Sequence, residues 1–382
     1  MEIKKMRILI DFTQIPLKKV GVGVYAMSLL KEINKIDSNE EYFVAVLRDD
    51  REVIELLEDS KVFKVIYLNK IFRKLIFRFL FEQIFIPILI LKYKIDVIHS
   101  LHYSFPLLPM RVKKVVTLHD MTFFLYPEFH KKFNVFFFTK MIRISLRFCD
   151  RIICVSEATK NDVLELLKPK NTVSQKIIVI PLGVDLGGKV IIDENNTNIL
   201  KRNNLSQKKY LLFIGTIEPR KNIKSILIAY SRLSESFSEY KLVVVGRKGW
   251  HYKDIYQKVA ELKLGDKIVF TDFVTETEKN ILLKSCYLFL YPSFYEGFGI
   301  PVLEALSFGI PTITSNISSM PEVAGDAAIL INPYNDQELT DAINLLLTDE
   351  YVYQQLQTQS LKQVQKFTWN KMAISTVNTY LQ

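Results

Sequence analysis

Short, uniformly apolar runs recur along this chain. Each ends in a polar or glycine-bearing break, and most are followed by a segment with helical spacing. Met6-Arg-Ile-Leu-Ile-Asp-Phe12 is the first; residues 42–47, 64–68, 95–100, 112–120, 150–156 and 176–185 continue the series in the first half. Residues 210–215, 241–246, 267–272, 286–291 and 309–315 repeat it in the second. Runs apolar on both faces suit strands of a parallel sheet covered by helices on either side. Alternating strands and helices in this number predict an α/β fold made of two doubly wound sheets. A polar tract rich in glycine and asparagine at 187–208 reads as the linker between a first domain, 1–186, and a second, 209–366.

The chain's chemistry concentrates around Tyr291-Pro-Ser-Phe-Tyr-Glu-Gly-Phe-Gly-Ile-Pro-Val-Leu-Glu304. An apolar strand runs into a loop broken by Pro292, Gly297 and Gly299, and a helix follows in which proline is tolerated at the start. Such a loop aims free N–H groups and a positive dipole end at a ligand, which suits phosphate; the amides at Phe298, Gly299, Ile300 and Val302 are the candidates. Glu296 and Glu304 frame the loop, and carboxylates accept hydrogen bonds from sugar hydroxyls. Phosphate donors between carboxylate acceptors describe a nucleotide-sugar site. Each feature also has a plain explanation: Glu304 complements a helix dipole, and the glycines make a turn. Thr216-Ile-Glu-Pro-Arg-Lys-Asn222 repeats the strand, loop and helix-start pattern, with Arg220 and Lys221 placed to neutralise a diphosphate.

Glu-Gly-Phe-Gly-Ile-Pro-Val-Leu-Glu, ending at Glu304, resembles the Glu-(any seven)-Glu motif of retaining glycosyltransferases of the GT-B fold, sequence-based family four. The segment Glu218-Pro-Arg-Lys-Asn222 resembles the same family's basic motif, although Thr216 stands where many members carry arginine. The resemblance implies two Rossmann-like domains facing each other across a cleft, with an acceptor-binding first domain, a donor-binding second, and a last helix, about 367–382, packing back on the first. It implies that Glu296 holds sugar hydroxyls, Glu304 holds the ribose, and Phe273 and Val274 lie in the loop that holds the base, where glycine is common in place of Asp272. It also implies that Gly21 and Gly23 lie beside the donor phosphates and the acceptor, and that His119, at a strand's carboxyl end, touches the transferred sugar. The Glu-Pro-Arg-Lys-Asn form resembles bacterial mannosyltransferases, so GDP-mannose is the expected donor. A glycan or lipid-linked acceptor in cell-surface polysaccharide assembly is the expected recipient. No Asp-x-Asp metal site is visible, so the expected enzyme is a metal-independent, retaining hexosyltransferase without a cofactor, its nucleotide sugar being a substrate.

Gly21-Val-Gly-Val-Tyr-Ala26 spells a dinucleotide-binding fingerprint, but its glycines lie about ten residues past the strand instead of directly after it. A loop that lets backbone approach a ligand, or a plain turn, fits better. The three cysteines, Cys149, Cys154 and Cys286, have no metal spacing, which fits a reduced, cytoplasmic protein, and no signal peptide is visible. A net charge of +10 favours an anionic partner, nucleic acid or an acidic membrane surface, and of these the membrane surface is the one expected. Residues 70–94 interleave Phe and Leu with Arg73, Lys74 and Arg78, too interrupted to span a bilayer. An interfacial helix with its basic residues on head groups and a buried core helix both remain open. The aromatic stretch around Lys131 and Lys132 is a second contact candidate, giving a protein peripheral to the inner face of the cell membrane. A nucleotide-sugar epimerase on the same fold and a non-catalytic basic binding protein remain as alternatives.

Overall fold

The computed structural model describes residues 5–37, 39–187 and 198–382. It divides into two compact units: Met1–Gly183 with Trp369–Gln382, and Val184–Thr368.

In the first unit, β1 (Arg7–Asp11), β2 (Glu41–Leu47), β3 (Phe63–Leu68), β4 (Val97–Ser100), β5 (Lys113–Leu118), β6 (Arg151–Cys154) and β7 (Ile177–Val179) form one sheet in the order β3-β2-β1-β4-β5-β6-β7. Every pairing is parallel. The second unit holds β8 (Tyr210–Ile214), β9 (Lys241–Val245), β10 (Ile268–Phe270), β11 (Leu288–Tyr291), β12 (Thr312–Ser315) and β13 (Ala328–Ile331), in the order β10-β9-β8-β11-β12-β13, again all parallel. Both are Rossmann-like. The winding direction reverses between β1 and β4 in one sheet and between β8 and β11 in the other. At such a switch point the loops leaving the two strands diverge and open a crevice for ligand.

The apolar runs become strands because helices cover both faces: Leu288, Phe289 and Leu290 of β11 are fully buried. The helix Trp369–Leu381 packs on the helix Val22–Ile33 within the first unit. It is pinned by the Tyr380 hydroxyl at 2.6 Å from His99 Nδ1, while His99 Nε2 meets Thr117 Oγ1 at 2.9 Å. Burial drops the His99 pKa to about 3, so the ring is neutral.

Two expectations change. Within the tract read as linker, Asn198–Arg202 is helical, with Ile199 and Leu200 buried in the second unit, which already begins at Val184. Residues 188–197 of that tract lie outside the described residues. Residues 70–94 are not one helix. They form a 3-10 turn (Lys70–Arg73), a helix (Leu75–Leu80), a π turn (Phe81–Phe85) and a second helix (Ile86–Tyr93). One face of this segment carries Phe81, Ile86 and Ile90 into the core with Leu9, Phe43 and Ile98. Another exposes Phe77, Phe79, Ile84, Ile88 and Leu91. Arg73 and Arg78 do not point outward as expected. Arg73 grips Asp49 with Nε and Nη2 at 3.2 and 2.9 Å, and Arg78 lies 3.5 Å from the buried Glu82. The Arg73–Asp49 contact is a charge-assisted hydrogen bond, stronger than a neutral one, whereas burial raises the Glu82 pKa to about 8 against the opposing Arg78 charge. Lys74 is the exposed basic residue of the three. Among the described residues no helix is long and apolar enough to cross a membrane.

Candidate active site

In the second unit the functional residues come from the two loops that leave the switch-point strands. After β8 the chain passes Gly215 and Thr216 into the 3-10 turn Pro219–Lys221, and Asn222, in the left-handed region, starts the helix Ile223–Leu233. Gly246, at the end of β9, has φ +148, and a Cβ there would overlap the Gly215 carbonyl oxygen. Only glycine allows that approach, which seats the loop after β8. After β11, Pro292–Gly299 lead into the helix Ile300–Ser307. Gly299 has φ +110, and a Cβ on it would collide with the Met320 methyl group. The Phe294 N–H donates to the Arg220 carbonyl at 2.9 Å, tying the two loops together.

That tie brings Arg220, Lys221 and Glu296 into one buried cluster. Arg220 Nη1 donates to Glu296 Oε2 at 2.9 Å and to the Tyr295 carbonyl at 2.6 Å. Its Nε and Nη2 reach Glu218 Oε1 at 3.2 and 2.9 Å. Lys221 Nζ donates to Glu296 Oε1 at 2.5 Å and to the Tyr291 hydroxyl at 2.6 Å. A guanidinium has five N–H groups and an ammonium three. Each cation therefore keeps one N–H beyond these bonds. Two cations and two carboxylates leave the cluster formally neutral. Burial by itself would raise the Glu296 pKa, but the Arg220 and Lys221 charges outweigh it and hold it down to about 2. Burial opposes the charge on Arg220 too, yet Glu296 and Glu218 push its pKa up. Burial and the Arg220 charge pull Lys221 down against the pull of Glu296.

The sequence reading gave Glu296 to a sugar and the two cations to phosphate; the fold joins all three. It also supplies partners that reading missed. Glu218 was visible inside the basic motif, and Tyr291 as the last residue of the strand. Ser318 had no local signal: its Oγ accepts from the Glu296 N–H at 3.0 Å and donates to the Glu296 carbonyl at 2.6 Å, while the Ser319 hydroxyl shares its proton between the Phe298 and Glu296 carbonyls at 2.7 and 3.0 Å.

Val302 needs a correction: its N–H donates to the Gly299 carbonyl at 3.0 Å, because the helix has already begun. That leaves the amides of Phe298, Gly299 and Ile300 as the loop's ligand-facing candidates. Glu304 lies one turn into the helix, its Oε1 2.6 Å from Lys279 Nζ. Burial raises its pKa and Lys279 opposes the rise. Thr216 is half-buried beside Gly249. Gly297 lies in the loop after Glu296. After β10, Asp272 adopts φ +55, the left-handed conformation that explains why glycine suits this position; Phe273 is exposed and Val274 buried.

In the first unit, Gly21 caps the helix Val22–Ile33 with φ +52, and Gly23 lies buried in its first turn. His119 follows β5 and is buried edge-on to Tyr25. Its Nε2 lies 2.8 Å from the Leu101 carbonyl, which only accepts, so Nε2 carries the proton and Nδ1 the lone pair. Burial lowers its pKa, keeping the ring neutral near pH 7. Asp120, the other half of the His-Asp pair, instead binds the Thr122 N–H and hydroxyl. Among the described residues no group of three or more His, Cys, Asp or Glu side chains is arranged to hold a metal ion.

Residues 195–363 match the family Glycosyl transferases group 1, and residues 20–187 match Glycosyltransferase Family 4. The chain is 32% identical over 275 residues to O-antigen chain mannosyltransferase B of Escherichia coli, covering 72% of this chain and 71% of that protein. It is 30% identical over 269 residues to the serotype-specific mannosyltransferase WbdA of Escherichia coli, covering 68% of this chain but only 32% of that longer protein. A crystal structure of Anabaena HepE in complex with UDP and glucose superposes with a TM-score of 0.75 at 17% identity, covering 99% of this chain and 100% of that one. Two parallel Rossmann-like sheets, the loop from Glu296 to Glu304 and both family matches lead to one assignment: the chain belongs to the group 1 glycosyltransferases of family four and has the GT-B fold.

Proposed function

We propose that this glycosyltransferase moves a mannosyl residue from GDP-mannose to a glycan or lipid-linked acceptor in cell-surface polysaccharide assembly, with retention and without a metal or cofactor. The observation that carries the reading is the Arg220–Lys221–Glu296 cluster at the β8/β11 switch point. The mannosyl part is supported by the relatives, which are mannosyltransferases. In this reading the sugar C1–oxygen bond to the diphosphate breaks while the acceptor hydroxyl bonds to C1 from the same face, and the hydroxyl proton passes to the departing phosphate. The negative charge that builds on that phosphate meets the remaining N–H groups of Arg220 and Lys221 and the amides of Gly299 and Ile300. Fixed donors of this kind supply the dominant catalytic stabilisation. Glu304 keeps Oε2 for the ribose, and Phe273 and Val274 lie along the base.

Docking on the inner face of the membrane completes the reading. Phe79 lies edge-on to Phe137 at 6.1 Å between ring centroids, and Phe137 stacks on Phe133 at 6.4 Å. The exposed apolar face of residues 77–91 therefore continues onto the helix Lys132–Phe148, where Phe133 and Phe136 are exposed. Lys74, Lys131 and Lys132 supply exposed positive charge, while Arg73 and Arg78 do not.

A thermal-shift panel of nucleotide sugars tests the donor. A ligand present at about 100 times its Kd adds ~2.7 kcal/mol, so GDP-mannose raises the melting temperature and other donors raise it less. No shift with any nucleotide sugar refutes the reading. The anomeric configuration of the product, and its yield with and without a chelator, test retention and metal independence.

A further inference from the structure

A second group of charges in the first unit lies at the amino ends of its strands, opposite the loops that leave the carboxyl edge. There a cavity of about 660 Å³ is bordered by Met6 just before β1, Val97 in β4, Lys113 in β5, Arg151 in β6 and Lys176 just before β7. The end of the last helix, from Tyr380 to Gln382, completes the wall. β5 is six residues long, so at ~3.3 Å per residue the cavity lies roughly 20 Å from His119. Four cations line it, Arg111, Lys113, Arg151 and Lys176, against two carboxylates, Asp96 and Asp150. The acids are taken up by main chain: Asp96 Oδ2 accepts from the Arg7 N–H at 2.9 Å, and Asp150 Oδ2 from the Lys114 N–H at 2.8 Å. Three of the cations donate to neutral carbonyls instead. Lys113 Nζ reaches those of Thr379 and Tyr380 at 2.8 and 3.1 Å, Arg151 Nη1 that of Asp150 at 3.1 Å, and Lys176 Nζ that of Cys149 at 3.2 Å. Among the described residues none of the four cations forms an ion pair with a carboxylate.

Positive charge is therefore in excess at this wall, and a carboxylate on Gln382 would still leave it so. The crowding is felt by Lys113: burial and the Arg151 charge pull its pKa down, with Asp150 opposing them. A concave wall of one sign is complementary to an anion. Guanidinium forks match phosphate oxygens, and lysine adds a point charge. The size argues for more than a bare phosphate ion. The space is many times the ~30 Å³ of a water and falls within the ~300–1,000 Å³ of small-molecule sites. Met6, Val97, Met110 and Leu381 give it an apolar side against which a carbon skeleton can lie. We propose that this cavity binds a soluble organic phosphate, its phosphate on Arg111, Arg151 and Lys176 and its carbon skeleton on the apolar side. The site is separate from the carboxyl edges of both sheets, so its ligand is neither donor nor acceptor of the transfer.

Titration calorimetry with fructose bisphosphate tests it, at fixed ionic strength because salt screens exposed charges. Fructose controls for the neutral skeleton and inorganic phosphate for the bare anion. Arg151→Gln with Lys176→Gln removes two wall charges. Lys201→Gln with Lys362→Gln, both exposed in the second unit, removes the same charge elsewhere. The bisphosphate should bind wild type and the second-unit variant alike, and the wall variant about tenfold or more weakly, a loss of ~1.4 kcal/mol. Inorganic phosphate should bind wild type at least about tenfold more weakly than the bisphosphate does, and fructose should not bind. Without ligand the wall variant should melt no lower than wild type, since neither side chain has a carboxylate partner among the described residues. Arg111→Gln, at an exposed position, repeats the test with one substitution and should weaken binding too. No binding to wild type, equal binding to both double variants, or phosphate as tight as the bisphosphate overturns the proposal. Capture of wild type but not the wall variant on phosphatidic acid vesicles, with no bisphosphate binding, assigns the cavity to a lipid head group and overturns the soluble ligand.

Discussion

Replacing Glu296 by glutamine tests the cluster on which the donor reading stands. The carboxylate is buried with its pKa held at about 2, against 4.5 without the fold. At ~1.36 kcal/mol per unit, that depression corresponds to about 3 kcal/mol of stability at neutral pH. Because the folded pKa is the lower one, the contribution is complete above about pH 4.5 and is lost as the pH falls toward 2. By pH 3 about three fifths of it should be gone. Glutamine keeps the size but not the charge, so Glu296→Gln leaves Arg220 and Lys221 with Glu218 as their only carboxylate in the cluster. At pH 7 the second unit should melt roughly 6–12 °C lower, at about 2–4 °C per kcal/mol for a unit of this size. The gap from wild type should narrow steadily below pH 4.5. Turnover should fall, while free GDP binds at least as tightly, because the cluster has gained a net positive charge. Melting curves from pH 7 to pH 3, paired with GDP titrations, measure all three. An equal stability gap at pH 7 and pH 3, or GDP affinity that falls with turnover, would refute the electrostatic account.

Glu304→Gln should weaken GDP binding about tenfold, the effect of losing one charge-assisted hydrogen bond to ribose, with the melting temperature little changed; unchanged GDP affinity in calorimetry removes Glu304 from the site. Tyr380→Phe strips the hydroxyl from buried His99 and should cost about 1–3 kcal/mol in urea unfolding. A smaller loss would show that the hydroxyl does not pin the last helix. Phe133→Ser with Phe136→Ser should reduce sedimentation with anionic vesicles while leaving GDP binding intact, since both rings are exposed; undiminished sedimentation rules out this helix as the docking face.

Much of this protein is decided locally. Runs such as Cys286 to Tyr291 are apolar on both sides, short, and bounded by breaks, which suits a covered parallel strand, so both sheets were legible from the sequence. The loop from Glu296 to Glu304 was legible for a similar reason. Glycine and proline encode a strand–loop–helix junction over a few residues, and Gly299 indeed takes the positive φ that junction needs. What the sequence did not contain was anything that depends on a second segment. Whether Glu296 faces a sugar or two cations depends on how the β11 loop lies against the β8 loop, contacts made across dozens of residues by Arg220, Ser318 and Ser319. Arg73 and Arg78 read as surface charge because a basic residue among phenylalanines looks the same whether it meets solvent or a carboxylate. The fold supplied Asp49 and Glu82 and turned both inward. The short helix at Asn198–Arg202 escaped notice because five residues carry too little periodicity to stand out, and burial of Ile199 and Leu200 in the second unit accounts for it. Backbone pattern and turn chemistry act between near neighbours and are written in order along the chain. Charge pairing and cavities arise between distant residues, so only the tertiary structure settles them.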